Sequence, residues 1–399
     1  MRRGHFPLDV LPAWCHLNGV TFVDTKVQLI EGRGYGLVAE RELKTKNDNG
    51  ALPILKVPRD LVLSSEGIEE YAKENKEFRQ LHDAAGRLST RHDILLFLLM
   101  QVVLSSPDHT DESVTVRDWV WLDALYRSRS LELPRSGESL VPCLDLVNHS
   151  HQHTAYFEEN NDDQVLLLLR NGSHIAPGTE ITINYGHKKS AAEMLFSYGF
   201  IDPHSTTKRL SLPLQLIDDD PLIKAKLHVF GATPTLEITE DAGVPRWSAP
   251  FVYLMCLNEE DGLEFRILQE TDGSRHLRML WQGRDVTDAP GTFRDLINGH
   301  DLQQVFELRA ATVIYEMVQQ QLERLSAHGG DASIFEPVRA ETVQAANQLR
   351  NIETDLLERA FQVLENERAN LLADETVLAY LGDMQAGQAG DIAEDEDFS

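Results

Sequence analysis

Tyr185 closes the stretch Glu180-Ile181-Thr182-Ile183-Asn184-Tyr185-Gly186, and a second phenol, Tyr198, precedes Gly199 and Phe200. A phenol at the end of an alternating run can hold or steer a reacting group, although a tyrosine there is more often core or interface than catalyst. Asn148 and His149 follow an apolar segment; taken alone, Asn148 is a turn residue. His149, His151 and His153 alternate, which could put imidazoles on one strand face, yet no Cys or acidic partner stands at ligand spacing. We read them as a polar loop and expect no metal site. Gly32-Arg33-Gly34-Tyr35-Gly36 invites a nucleotide reading, because glycines accept positive φ and close backbone approach. The dinucleotide fingerprint fails, since its third glycine would fall at Leu37 and a strand pattern follows instead of a helix. The P-loop fails for want of Lys-Ser or Lys-Thr at the required offset. A ligand-free β-turn remains the plain alternative. Cys143 has no visible activating base and reads as core; Asp218-Asp219-Asp220 before Pro221 reads as a solvated turn.

Around these residues the pattern predicts strands at 27–30 and 37–39, flanking the glycine turn, and at 54–57, ended by Pro58. From 66 to 133 the apolar period becomes helical, through Ile68, Tyr71, Ile94, Phe97 and Leu98 and again through Trp119, Leu122 and Leu125. Strand character returns at 165–170 and, by alternation, at 180–185, with turns at Asn171-Gly172 and Pro177-Gly178. A short helix is expected at 190–198, mixed segments to about 300, and long helices at 301–325 and from Pro337 to about 364. The second of these carries Leu349, Ile352, Leu356 and Val363 along one face. There is no internal repeat at solenoid periods.

Three stretches, Leu140-Val141-Pro142-Cys143-Leu144-Asp145-Leu146-Val147-Asn148-His149-Ser150, Glu180 to Gly186, and Lys189-Ser190-Ala191-Ala192-Glu193 to Phe200, stand in register with the glycine turn upstream. Together they resemble the SET-domain lysine methyltransferases, most of all the branch of the Rubisco large-subunit methyltransferase and the fungal ribosomal-protein lysine methyltransferases. The resemblance implies an α+β chain: a β-rich SET domain over about 18–202 with a pseudoknot and a helical insert (about 66–135), after a short helical lead-in (1–17). A mainly α-helical substrate-binding domain (205–380) and an acidic tail (381–399) would follow. It implies S-adenosylmethionine as cofactor, with Arg33 and Gly34 on its methionine part, Ile54 as an apolar contact, Arg129 near its carboxylate, Asn148 and His149 at the adenosyl end and Phe200 on the adenine. Tyr185 matches the catalytic tyrosine, while Asp145, Tyr156 and Tyr198 would face the substrate side chain.

The residue types suit that chemistry. Displacement at a sulfonium methyl needs a deprotonated amine held about 3 to 3.5 Å from the carbon. A lysine with pKa about 10.4 sheds its proton more readily in a desolvated aromatic channel. Departures from the family pattern are Leu52, where relatives carry an acid, and Ala191, where they carry Asn; Leu144 replaces the tryptophan of the histidine-methylating branch, which favours lysine as acceptor. Rival readings are a catalytically silent SET scaffold and a protein-histidine methyltransferase.

Composition bounds the rest. Apolar residues are 42% and charged residues 25%, a globular balance that excludes wholesale disorder. With 64 Asp and Glu against 37 Lys and Arg, the formal charge of -27 argues against broad nucleic-acid binding and favours a basic protein substrate. A ribosomal protein or translation factor fits, and the absence of a cysteine-rich post-SET zinc segment turns the expectation to non-histone targets. Cys15, Cys143 and Cys256 are too scattered for a zinc cluster or disulfide framework, which suits a reduced compartment, cytoplasmic or nuclear; a monomer is expected. The apolar run 94–104 is about half of what a bilayer span needs and contains Gln101, and residues 1–10 lack a signal-peptide core, so neither membrane insertion nor secretion is expected.

Overall fold

A computed structural model describes residues 8–45, 51–104, 114–205, 207–217, 219–269, 273–288, 293–327 and 339–382. The chain divides into two compact units, one of residues 1–189 and 193–205, the other of 190–192 and 206–399.

In the first unit, helix α1 (Leu11–Leu17) leads into short strand β1 (Thr21–Phe22), and β2 (Thr25–Ile30) and β3 (Gly34–Ala39) form a hairpin around the glycine turn. Gly32 and Gly34 take φ of +70° and +77°, the left-handed region that a side chain disfavours, which is why glycines stand there. Strands β4 (Leu43–Lys44) and β5 (Leu52–Pro58) precede the helical insert, α2 (Ser65–Glu74), α3 (Lys76–Ala85), α4 (Thr90–Leu104) and α5 (Val116–Arg129). Three of these helix starts have a local reason. Ser64 accepts from Gly67 N–H (3.2 Å) and Asn75 from Phe78 N–H (2.9 Å), and Thr115 with Asp118 closes a reciprocal cap on α5. The insert keeps its own core, in which Ile68, Phe78, Ile94, Leu122 and Tyr126 are buried.

Beyond the insert come hairpin β6 (Leu131–Leu133) and β7 (Gly137–Ser139), then β8 (Ala155–Glu159), β9 (Gln164–Leu169), β10 (His174–Ile175), β11 (Glu180–Ile181) and α6 (Ala191–Tyr198). The strands assemble as antiparallel sheets β1-β5-β9-β8, β11-β3-β2, β10-β4 and β6-β7. Regular pairing ends at Ile181, earlier than the alternation to 185 implies. Past it, Ile183 N–H donates to Asn148 O (3.0 Å) and Ser150 N–H to Ile183 O (2.9 Å), a parallel bridge to the His149 segment. These bonds draw two distant segments of chain side by side. The core beneath them includes Leu37, Ile54, Leu55, Val141, Val147, Leu167 and Ile183.

The second unit holds two three-stranded antiparallel sheets where the sequence shows only mixed segments. They are β12 (Arg209–Pro213), β13 (Thr235–Asp241) and β14 (Val244–Ser248), and β15 (Leu263–Gln269), β16 (Arg275–Trp281) and β17 (Arg284–Asp285). Short helices α7 (Ile223–Phe230), α8 (Pro250–Met255) and α9 (Phe293–Ile297) are interleaved with them. The long helices α10 (Gln303–Ala327) and α11 (Ala340–Leu372) pack on this layer through Ala310, Ile314, Val318, Leu356, Leu357 and Leu364. Leu349 and Leu356 are buried as the expected stripe requires, whereas Ile352 and Val363 are only partly buried and Leu357, Ala360 and Leu364 complete the buried face. Pro337 and the acidic residues from 383 onward, like Asp218, lie outside the described residues. Lys226 is buried here with its ammonium on Asp220 Oδ2 (2.6 Å), Leu257 O (2.6 Å) and Met255 O (3.1 Å). Among the described residues no helix is long and apolar enough to cross a membrane.

Candidate active site

Three backbone devices converge in the first unit: the glycine turn of β2–β3, the 148–150 segment held against Ile183, and the end of α6. A single carboxylate ties the first two together. Glu180, on β11, accepts from Arg33 Nη1 (2.6 Å) through one oxygen and from Asn148 Nδ2 (2.8 Å) through the other. Asn148 Nδ2 also donates to Tyr35 O (3.2 Å), and Arg33 Nη2 donates to His149 O. Gly36 is required where these meet. A Cβ there would lie 2.8 Å from Asn148 Nδ2, 2.8 Å from Glu180 Oε1 and 2.9 Å from Ile30 Cγ1, closer than real contacts allow.

His149 is 6% exposed and spends both ring nitrogens. Nδ1 accepts from the backbone N–H of Tyr185 (3.1 Å), so the ring proton resides on Nε2, which donates to Asp202 Oδ2 (3.0 Å). Burial pushes the Asp202 carboxyl up, but hydrogen bonds from His149 and from the His204 N–H outweigh it and hold the group below the usual carboxylate range. No lone pair on His149 is left for a metal. Residues 151–152 form a turn, so the three alternating histidines do not share a strand face.

Tyr185 follows directly. Its phenol donates to Val147 O (2.9 Å), and its ring lies 4.5 Å from that of Tyr198 and 5.3 Å from that of His149, centroid to centroid. Phe200 completes the aromatic row, 5.9 Å from His149 and 6.4 Å from Tyr198. Burial, then the neighbouring Tyr198, pushes the Tyr185 phenol up to about 12, so it stays protonated at neutral pH. Behind it, Arg129 Nη1 donates to Asp145 O (2.8 Å) and to Asp145 Oδ2 (3.2 Å). Burial raises the Asp145 carboxyl despite that guanidinium.

Two clefts open from this centre. One, about 660 Å³, is lined by Gly32, Arg33, Asn148, His149, Phe200 and Asp202 among others; the second, about 420 Å³, by Arg127, Glu132, Glu138, Phe157, Asn184 and Lys189 among others. Tyr185 and Tyr198 line both. A much smaller recess beside the pair is lined by Arg129, Leu131, Leu144, Asp145, Val147 and Ile183 among others.

No family model matches the chain. SET domain-containing protein 8 of Schizosaccharomyces pombe is 28% identical over 283 residues, covering 69% of this chain and 62% of that protein. The ribulose-1,5 bisphosphate carboxylase/oxygenase large subunit N-methyltransferase of Pisum sativum is 27% identical over 183 residues, 42% of this chain and 37% of that protein. The aligned region therefore spans less than two thirds of these relatives. Among solved structures, the SET domain of LSMT bound to lysine and AdoHcy superposes with a TM-score of 0.62 over 98% of this chain and 99% of that one, at 19% identity. The chain has the SET-domain fold. The pairing of 148–150 with Ile183 lies where the SET resemblance implies a pseudoknot.

Placed on this SET unit, Arg33, Asn148, His149, Phe200, Tyr185 and Tyr198 gather around one cleft, and Asp145 and Arg129 sit together beside the phenols. Gly34 shapes the turn without lining the cleft. Two expectations need correction. Ile54 is fully buried in the core and lines none of the clefts, because the irregularity in β5 between Pro53 and Leu55 turns both Ile54 and Leu55 inward. Tyr156 lies on the outer face of β8, 38% exposed, and its neighbour Phe157 faces the second cleft, as the two-residue strand period dictates. Glu180, Asp202 and Gly36 were missed. The Gly36 signal was present in the turn, but neither carboxylate has a local pattern, since the side chains that each one ties lie far away in sequence.

Proposed function

We propose that this SET-domain protein transfers a methyl group from S-adenosylmethionine to a lysine side chain of a non-histone protein. The observation that carries the proposal is the meeting of two separately lined clefts at one pair of phenols, Tyr185 and Tyr198. A donor in one cleft and an amine in the other would face each other across those rings. Supporting this, relatives carry the names of a Rubisco large-subunit N-methyltransferase and, in Arabidopsis thaliana, an aldolase-lysine N-methyltransferase. The LSMT structures that share the fold hold AdoMet, or AdoHcy with lysine.

The first cleft fits such a cofactor chemically. Arg33 offers a cation for a carboxylate, Asn148 an amide and Phe200 an aromatic face for a heterocycle, while the positive-φ turn at Gly32 keeps the rim free of side chain. Bound there, the sulfonium would supply an activated methyl group. The protein's own contribution is position and desolvation. Because the Tyr185 hydroxyl donates to Val147 O, its oxygen lone pairs remain to accept weak C–H contacts from a developing methyl cation. Val147, Ile183, Leu144 and the Tyr198 ring contribute apolar surface beside the phenols, and such desolvation disfavours an ammonium. Arg129 pairs with Asp145, so that carboxylate does not re-stabilise the charged form.

By the same proposal the second unit presents a basic substrate, for which the formal charge of -27 suits a ribosomal protein or translation factor, and the chain acts as a monomer in the cytosol or nucleus. The test incubates cell extract with methyl-labelled cofactor and the purified chain, identifies the labelled proteins by mass spectrometry, and titrates the cofactor by calorimetry. Labelled lysine in an extract protein is expected. Absence of cofactor heat would favour a silent scaffold and overturn the reading; methylhistidine in the hydrolysate would overturn the acceptor.

A further inference from the structure

The second cleft already contains an amine. Lys189 lines it, and its ammonium lies 5.3 Å from the centroid of the Tyr198 ring, on the aromatic wall that Tyr198 forms with Tyr185. The chain is shaped to put it there. Lys189 N–H donates back to Gly186 O (3.3 Å), closing a turn directly after Tyr185. The side chain folds over Gly186 so closely that a Cβ at that position would lie 2.8 Å from Lys189 Cε and 3.0 Å from its Cγ. Gly186 has φ of +148°, so both the turn and the fold-back depend on a residue without a side chain. Lys188, next in sequence, is exposed and does not line the cleft.

We infer that Lys189 is a methylation site of the protein itself, modified by the SET site of the same chain. The inference rests on the proposed function, and it adds an acceptor. A lysine side chain is a flexible four-carbon stem, and one held at the cleft mouth is at high effective concentration relative to a free substrate. Arg127 and Lys189 are the cations lining the cleft and Glu132 and Glu138 its carboxylates, with Tyr185 and Tyr198 as the phenols. On the other side Lys189 borders His149, His151, His187 and Asp202. In the step, the neutral Nζ forms a bond to the methyl carbon as the carbon–sulfur bond breaks. The sulfur keeps that electron pair as a thioether, and the new methylammonium can return a proton to water.

The experiment uses the full chain with methyl-labelled S-adenosylmethionine and no other acceptor, followed by peptide mass spectrometry at several protein concentrations. Methyl addition at Lys189 is expected, at least about tenfold above Lys188, with a rate constant independent of protein concentration. A second readout does not use turnover: acetic anhydride should acetylate Lys189 more slowly when S-adenosylhomocysteine is added, with Lys188 unchanged. Label absent from Lys189, or rising with protein concentration as transfer between copies requires, or Lys189 acetylation indifferent to S-adenosylhomocysteine, overturns the inference. Labelled extract proteins alongside an unlabelled Lys189 would leave the proposed function standing, whereas absent cofactor binding would remove both.

Discussion

Glu180 is the carboxylate on which the first cleft depends, and replacing it separates positioning from mere stability. Its bond to Asn148 Nδ2 (2.8 Å) is partly buried, and a hydrogen bond to a charged group contributes about 1.5–3 kcal/mol. Its pair with Arg33 has side-chain exposures of 42% for Arg33 and 16% for Glu180, so solvent reduces that contribution to roughly 0.2–1 kcal/mol. Glu180→Ala removes both, about 2 kcal/mol in all, and frees Arg33 and Asn148 to reorient. If that loss falls on the cleft, the dissociation constant for S-adenosylmethionine rises roughly thirtyfold. Glu180→Gln keeps the length and one acceptor and should lose about fivefold. Isothermal calorimetry at 25 °C gives the affinities, and thermal unfolding of the same samples gives stability. Both variants melting lower while binding cofactor as tightly as the parent would refute the reasoning, since the carboxylate would then hold the sheet and leave the cleft unaffected.

Gly36→Ala should weaken cofactor binding comparably, because its Cβ would push Asn148 and Glu180 apart; calorimetry checks it. Tyr185→Phe should reduce methyl transfer to labelled extract proteins by about tenfold to hundredfold while cofactor affinity is retained, measured by label incorporation. The same variant tests the pH dependence. A phenol raised to about 12 in the folded state gives stability that is fully present below its unfolded value of about 10 and is lost as pH rises through 12. The difference between parent and Tyr185→Phe in urea unfolding should therefore narrow by on the order of 2 kcal/mol across that window, the raised phenols of Tyr126 and Tyr253 cancelling between them. In the second unit, Lys226→Ala strands the Asp220 carboxylate and two carbonyls, and should cost about 3–5 kcal/mol in urea denaturation.

Local chemistry explains what could be read in advance. The glycine turn, the helical period of the insert and the short helix before Gly199 each depend on residues within one or two turns of each other. The sheets of the second unit were illegible for the opposite reason. Strands such as β15, with Leu263 buried and Ile267 and Leu268 exposed, do not alternate cleanly, so no period announces them.

Residue types and their order along the chain determined that an aromatic pair, an Asn-His segment and a glycine turn were present, and the four motifs in register were enough to name a fold. Which way each side chain points was decided only in three dimensions. A register irregularity turned Ile54 inward and strand alternation sent Tyr156 outward, while Glu180 acquired Arg33 and Asp202 acquired His149 at sequence separations of 147 and 53. Hydrogen bonds between such distant groups leave no spacing to read, because the fold alone fixes their separation.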